Sequence, residues 1–212
     1  MGQTLGMQAA GILVLSFVAG AIPFSYVAGR RARGVDLRRV GTGTVSGTSL
    51  YRVAGFAPMA AAGILDVAKG AAGPALALAA GHPAVAALAG GVAVAGHNWS
   101  PFLRGAGGRG ISPALGALLV VAWPGTVMLL AGMILGKAFG ETAVGALVAE
   151  VALTPVLGIT HGAVGALAGV AIAIPMLVKR VVGNAPAPPP RRRTYLNRIL
   201  YDRDERIVSQ AP

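Results

Sequence analysis

Residues 84–135 read AVAALAGGVAVAGHNWSPFLRGAGGRGISPALGALLVVAWPGTVMLLAGMIL. An apolar run, 84–103, gives way to a short polar island around Arg104 to Gly110, and a second apolar run, 111–135, follows at once. A helix rises about 1.5 Å per residue, so about 20 apolar residues cover a bilayer core, and both runs reach that length. Three more such runs, 8–28, 53–80 and 142–178, surround the pair. With 55% hydrophobic residues, 12% charged residues and a mean hydropathy of +0.69, the chain reads as an integral membrane protein. The polar stretches between runs are too short to fold by themselves. The expected architecture is all-α, a polytopic bundle of five to seven membrane helices, some short or broken.

Charge orients that bundle. The net charge is +11, yet sixteen of the eighteen Lys and Arg residues fall in three segments: Arg30 to Arg52, Arg104 to Gly110, and Lys179 to Pro212. An odd number of crossings places all three on one side, so the positive-inside bias predicts an outside N-terminus and a cytoplasmic C-terminus. Basic loops beside spans are the ordinary membrane pattern, and nucleic acid is not an expected partner. No Lys or Arg precedes Arg30, so the basic start of a cleavable signal peptide is missing and the first span is expected to stay. Cysteine is absent, which excludes disulfides, Cys-ligated zinc and a cysteine nucleophile.

Two runs are too long for one simple crossing. Breaks are expected near Asp66, Lys69 and Gly70 to Pro74 in the first, and at Thr154-Pro155 and Gly158 to Gly162 in the second. Residues 1–180 form one expected membrane domain. A tail follows over 181–212, with an extended Pro-Ala linker from Ala185 to Pro190 and a basic amphipathic helix from Arg191 to Ile207 on the membrane surface.

The island Arg104-Gly105-Ala106-Gly107-Gly108-Arg109-Gly110 has the composition of a phosphate cradle. Glycines let successive N–H groups face one anion, the helix expected to start near Ile111 points its positive end there, and Arg109 offers a planar fork. The competing reading is a flexible basic turn that only obeys the membrane charge bias. A second polar island, Gly41-Thr42-Gly43-Thr44-Val45-Ser46-Gly47-Thr48-Ser49, closes with Arg52 and interleaves hydroxyls with glycines. It suits a phosphate or a polyol, or else is a solvated linker. Asp66 and Lys69 share a helix face, either as a functional intramembrane pair or as a structural one. His97 and Asn98 close a span beside Trp99, where His97 is either structural or catalytic. Phe102 stands where a His-x4-Asp acyl-transfer motif needs Asp, and neither Gly-x-Ser-x-Gly nor His-Glu-x-x-His occurs. A reaction here has to rest on positioning and charge, with an already activated substrate.

Taken in order, Gly20 to Tyr26, Gly41 to Arg52, Asp66-Val67-Ala68-Lys69-Gly70, Gly96-His97-Asn98 and Gly107 to Gly110 resemble the bacterial membrane acyl-phosphate:glycerol-3-phosphate acyltransferases. The resemblance implies a seven-helix fold in the bacterial plasma membrane with a cytoplasm-facing cleft. There an acyl phosphate would acylate the 1-hydroxyl of glycerol 3-phosphate to give lysophosphatidate for phospholipid synthesis, with membrane lipids around it and neither cofactor nor metal. It also implies site roles: Thr42, Arg52 and His97 in catalysis, and Gly41, Gly43, Thr48, Ser49, Lys69, Asn98, Arg104, Gly107, Gly108, Arg109, Gly110 and Arg192 in binding substrate phosphate. This chain departs from the family pattern at several points. Thr42, Thr44, Ser46 and Ser49 replace Ser, Asn, Gly and Asn, Ala106 stands in place of a Lys, and Arg109 in place of another. In the tail the His, Asn and Glu positions fall on Arg192, Tyr195 and Asp204. These departures support one alternative, a catalytically silent relative that holds an anionic lipid or partner in the same cleft; the expected broken helices support another, a small transporter, for which no inverted repeat is visible.

Overall fold

The structure, a computed structural model, describes residues 2–204. Among them the chain forms α1 (Gly2–Ala21), α2 (Phe24–Arg33), α3 (Gly47–Ala54), α4 (Phe56–Ala79), α5 (Pro83–Asn98), α6 (Ile111–Val121), α7 (Trp123–Ala138), α8 (Thr142–Val182) and α9 (Arg191–Tyr201), with 3₁₀ turns at Leu37–Arg39 and Pro101–Leu103. The fold is all-α, as the sequence predicts. Leu5–Arg33, Phe56–Ala79 and Thr142–Val182 are long and apolar enough to cross a membrane, and α6 and α7 are shorter apolar helices.

Breaks fall where backbone chemistry forces them. Pro23 separates α1 from α2, and Gly34 caps α2 in the left-handed conformation. The run 53–80 does not break at Asp66 to Pro74. It breaks at Gly55, φ 84°, and α4 then runs unbroken through Pro74. Gly73 and Pro74 are buried, Gly73 against Ser16 of α1 and Ala89 of α5, and such packing is what lets membrane helices keep a proline. The run 111–135 is two helices, because Ala122, φ −159° and ψ 76°, leaves the helical conformation and Pro124 sits in the first turn of α7. At 11 residues α6 is about 16 Å long, short of a bilayer core. The break in the last run is at Gly162, φ 61° and ψ −151°, which folds α8 into two arms with Gly165 against the carbonyl of Leu157.

Helix α5 is the centre. It packs on α1, α4, α6 and α8, and its Ala86, Ala87, Ala89, Ala93 and Val94 are fully buried. Small residues permit this: a Cβ on Gly91 would meet the Ala171 carbonyl, and one on Gly20 the Ala93 carbonyl. Without water to drive apolar burial, such close backbone approach is the main source of helix association in lipid.

The tail is not detached. Arg198 donates to the carbonyls of Val181, Val182 and Ala185, and Arg180 to that of Ile199. Helix α9 buries its polar residues Thr194, Asn197 and Arg198, and exposes Tyr195, Leu196 and Leu200. Its expected continuation to Ile207 lies outside the described residues.

Candidate active site

The first island is a folded loop rather than a solvated linker. Asp36 accepts from the Arg38 backbone and binds its guanidinium through both oxygens, at 3.0 and 2.7 Å. That guanidinium holds the Asp36 carboxyl down at about 2, from an ordinary 3.8. Leu37, Val45 and Leu50 are buried with Leu103 of the second island's flank. Ser46 caps α3 by accepting from the Ser49 N–H at 3.3 Å. Thr42 and Thr44 hydroxyls lie 2.9 Å apart, with Thr44 buried and Thr42 exposed. Gly41 and Gly43 take φ of 55° and 68°, which turns the chain at both. Thr48 and Arg52 are both exposed and stand one helical turn apart on α3, so they share a face. Among the described residues Arg52 forms no ion pair.

The second island docks on the first. Val45 donates its N–H to the Gly107 carbonyl at 3.1 Å, and Gly108 donates to the His97 carbonyl at 3.2 Å. Gly108 lies so close to the His97 ring that a Cβ there would overlap Nε2 and sit 2.9 Å from the Val45 carbonyl. Behind the ring, His97 Nδ1 is 3.8 Å from Asp66, which pairs with Lys69 at 2.7 Å and accepts from Ser25 at 3.4 Å. Lys69 also donates to the Ile22 carbonyl at 2.6 Å. Ser25, Asp66, His97, Val45, Gly107 and Gly108 line a cavity of about 10 Å³, room for about one water. The Lys69 ammonium is thus committed to Asp66 of α4 and to the Ile22 carbonyl between α1 and α2, and this cluster braces the loop from below. Asn98, fully buried, ties α5 to α8 through the Pro175 carbonyl at 2.9 Å.

Tail residues complete the site. Arg109 lies 2.6 Å from Asp202 through Nε and donates from Nη1 to the Lys179 carbonyl at 2.9 Å. Burial lowers the pKa of Arg109 and raises that of Asp202, and each partner opposes the other's shift. The sequence predicts an Arg109 fork free for phosphate; in the fold it is already held by Asp202 and the Lys179 carbonyl. Asn184 spans both islands, its side-chain N–H groups donating to the carbonyls of Gly43 at 3.2 Å and Gly107 at 2.9 Å, while its oxygen accepts from the Gly107 N–H at 3.1 Å. Sequence reasoning missed Asn184. Its one signal was an Asn directly after Gly183 at the end of a long helix. The positions assigned to the tail fall elsewhere: Arg192 and Tyr195 are exposed on α9, and Asp204 pairs with Arg198 at 2.6 Å. Arg104, φ 57°, is exposed, and Gly110, φ 81°, opens α6. Of the predicted residues, then, the fold brings Gly43, His97, Gly107, Gly108 and Arg109 together, and leaves Arg52, Arg104 and Arg192 on the surface.

Residues 10–184 match the family model described as Glycerol-3-phosphate acyltransferase. The chain belongs to this family. It is 33% identical to the glycerol-3-phosphate acyltransferase of Synechococcus sp. (strain CC9902) over 92% of this chain and 94% of that one. Against glycerol-3-phosphate acyltransferase 5 of Dehalococcoides mccartyi it is 37% identical over 72% of its own length and 66% of the relative's. The fold resembles the crystal structure of PlsY (YgiH), an integral membrane glycerol 3-phosphate acyltransferase, in its glycerol 3-phosphate form, with TM-score 0.75, 23% identity, and 94% and 96% of the two chains covered. The lysophosphatidic acid form of PlsY gives TM-score 0.72 and 21% identity. The matched region of this acyltransferase ends at Asn184, the residue that joins both islands.

Proposed function

We propose that this chain transfers a fatty acyl group from an acyl phosphate to the 1-hydroxyl of glycerol 3-phosphate, releasing lysophosphatidate and inorganic phosphate. The observation that carries the reading is the docking of island on island: Val45 on Gly107, with Asn184 across both. It gathers the hydroxyls of Thr42 and Thr48 and the exposed guanidinium groups of Arg52 and Arg104 at one end of the bundle, where two phosphate-bearing substrates need them. An acyl phosphate is a mixed anhydride, so the hydroxyl oxygen attacks the acyl carbon directly. The new ester C–O bond forms as the acyl–phosphate C–O bond breaks. The electron pair leaves with phosphate, and a phosphate oxygen accepts the hydroxyl proton. This chemistry asks the protein for orientation and charge, not for a covalent intermediate. Thr42, Thr48, Ser49 and Arg52 line the open side of the first island, and His97 fixes the second from behind.

Assay of the purified protein in detergent tests this. Lysophosphatidate is expected from glycerol 3-phosphate with acyl phosphate as donor and not with acyl-CoA; formation from acyl-CoA alone would refute the donor, and no product with either would refute the activity. The same reading puts the islands and the tail in the bacterial cytoplasm, with membrane lipid around the bundle. In the cysteine-free chain, Ala80→Cys should react with an impermeant reagent applied to intact cells and Arg33→Cys should not; the reverse pattern inverts the topology.

A further inference from the structure

Around the second island the charges pair one to one, the buried Arg180 with Glu150 and Arg198 with Asp204, and the less buried Arg109 with Asp202 and Arg203 with Glu141. Lys179 stands outside this pairing. It is among the largest fully buried side chains, 1% exposed, and among the described residues no carboxylate lies within ion-pair distance of its Nζ. Its contacts are the Gly105 carbonyl at 3.4 Å and the face of Trp99, 5.3 Å from the ring centroid. A long carbonyl contact and a cation–π contact recover only part of what an ammonium loses on leaving water. An unmatched buried cation of this kind is complete only when an anion joins it.

The anion's place follows from the neighbours. The Lys179 ammonium reaches Gly105, its own carbonyl holds Arg109, and so it approaches the glycine loop from the α8 side. Residue 106, directly after the contacted Gly105, is Ala, and no Lys occurs anywhere in the Arg104 to Gly110 loop. We propose that Lys179 supplies the loop's phosphate-binding cation from α8, and that a phosphate group of one of the two substrates is its missing counter-ion. This rests on the acyl-transfer reading above.

Lys179→Met keeps the stem and removes the charge. Because a buried unpaired charge is lost, the thermal midpoint should hold or rise, while KM for one of the two phosphate substrates rises about 10- to 100-fold. Adding Ala106→Lys to that variant should return much of the lost affinity, since it restores an ammonium on the same loop. Inorganic phosphate should raise the midpoint of the unaltered protein and not that of Lys179→Met, a readout independent of turnover. Unchanged KM for both substrates, equal protection by phosphate, a rise in KM that Ala106→Lys leaves uncorrected, or loss of folded protein on Lys179→Met each overturns the proposal. An unaltered protein that phosphate protects but that transfers no acyl group would instead refute the function above and leave the lysine's anion site standing.

Discussion

Asn184→Ala is expected to disable the site while sparing the bundle. Three hydrogen bonds disappear together: two from its amide to the Gly43 and Gly107 carbonyls and one from the Gly107 N–H to its oxygen. At about 1 kcal/mol net each, the docked arrangement of the islands loses about 3 kcal/mol. Helix packing is untouched, since Asn184 lies beyond the end of α8 and is only half-buried. If turnover requires the docked loops, kcat/KM falls on the order of 100-fold. Asn184→Asp sharpens the test. It keeps an acceptor for the Gly107 N–H but turns a second oxygen toward two carbonyls, so it should be worse than Ala. The assay is lysophosphatidate formation at varied glycerol 3-phosphate, run beside a thermal melt in detergent. An Ala variant within about threefold of the parent, or an Asp variant better than Ala, refutes the argument that this side chain orders the loops.

Gly108→Ala should lower both activity and the thermal midpoint, by about 1–3 kcal/mol of strain, because its Cβ displaces the His97 ring; an unshifted melt would show that the loop yields freely. Arg52→Ala should cost on the order of 100-fold in kcat/KM if its exposed guanidinium meets substrate charge, with Lys restoring part, whereas Arg39→Ala, equally exposed, should be silent; equal effects would make Arg52 a mere topology charge. Asp36→Asn should destabilise the first island near neutral pH. Because Arg38 depresses the Asp36 pKa to about 2, the gap between parent and variant should be fully present above pH 3.8 and close as pH falls toward about 2; a pH-independent gap contradicts the ion pair.

The sequence by itself determined the class of fold, the gathering of the basic charges into three segments, and the identity of the two islands. These are local or additive properties: apolar length sets a span, glycine and hydroxyl content sets loop chemistry, and basic residues near spans set orientation. Breaks were legible only where one residue imposes them, as at Gly162. Pro74 shows the limit, because it is buried within α4, beside Gly73 packed on two neighbouring helices, and does not stop the helix. What only the tertiary structure decided is who meets whom. Asn184 lies 141 residues from Gly43 and 77 from Gly107, and no local pattern reports a hydrogen bond across such distances. Arg109 looked like a free anion fork until α9 brought Asp202 against it, and Lys69 like a ligand until Asp66 and the Ile22 carbonyl enclosed it. A side chain's chemistry is set by its residue type, but its availability is set by its partners, and those are fixed only when the helices pack.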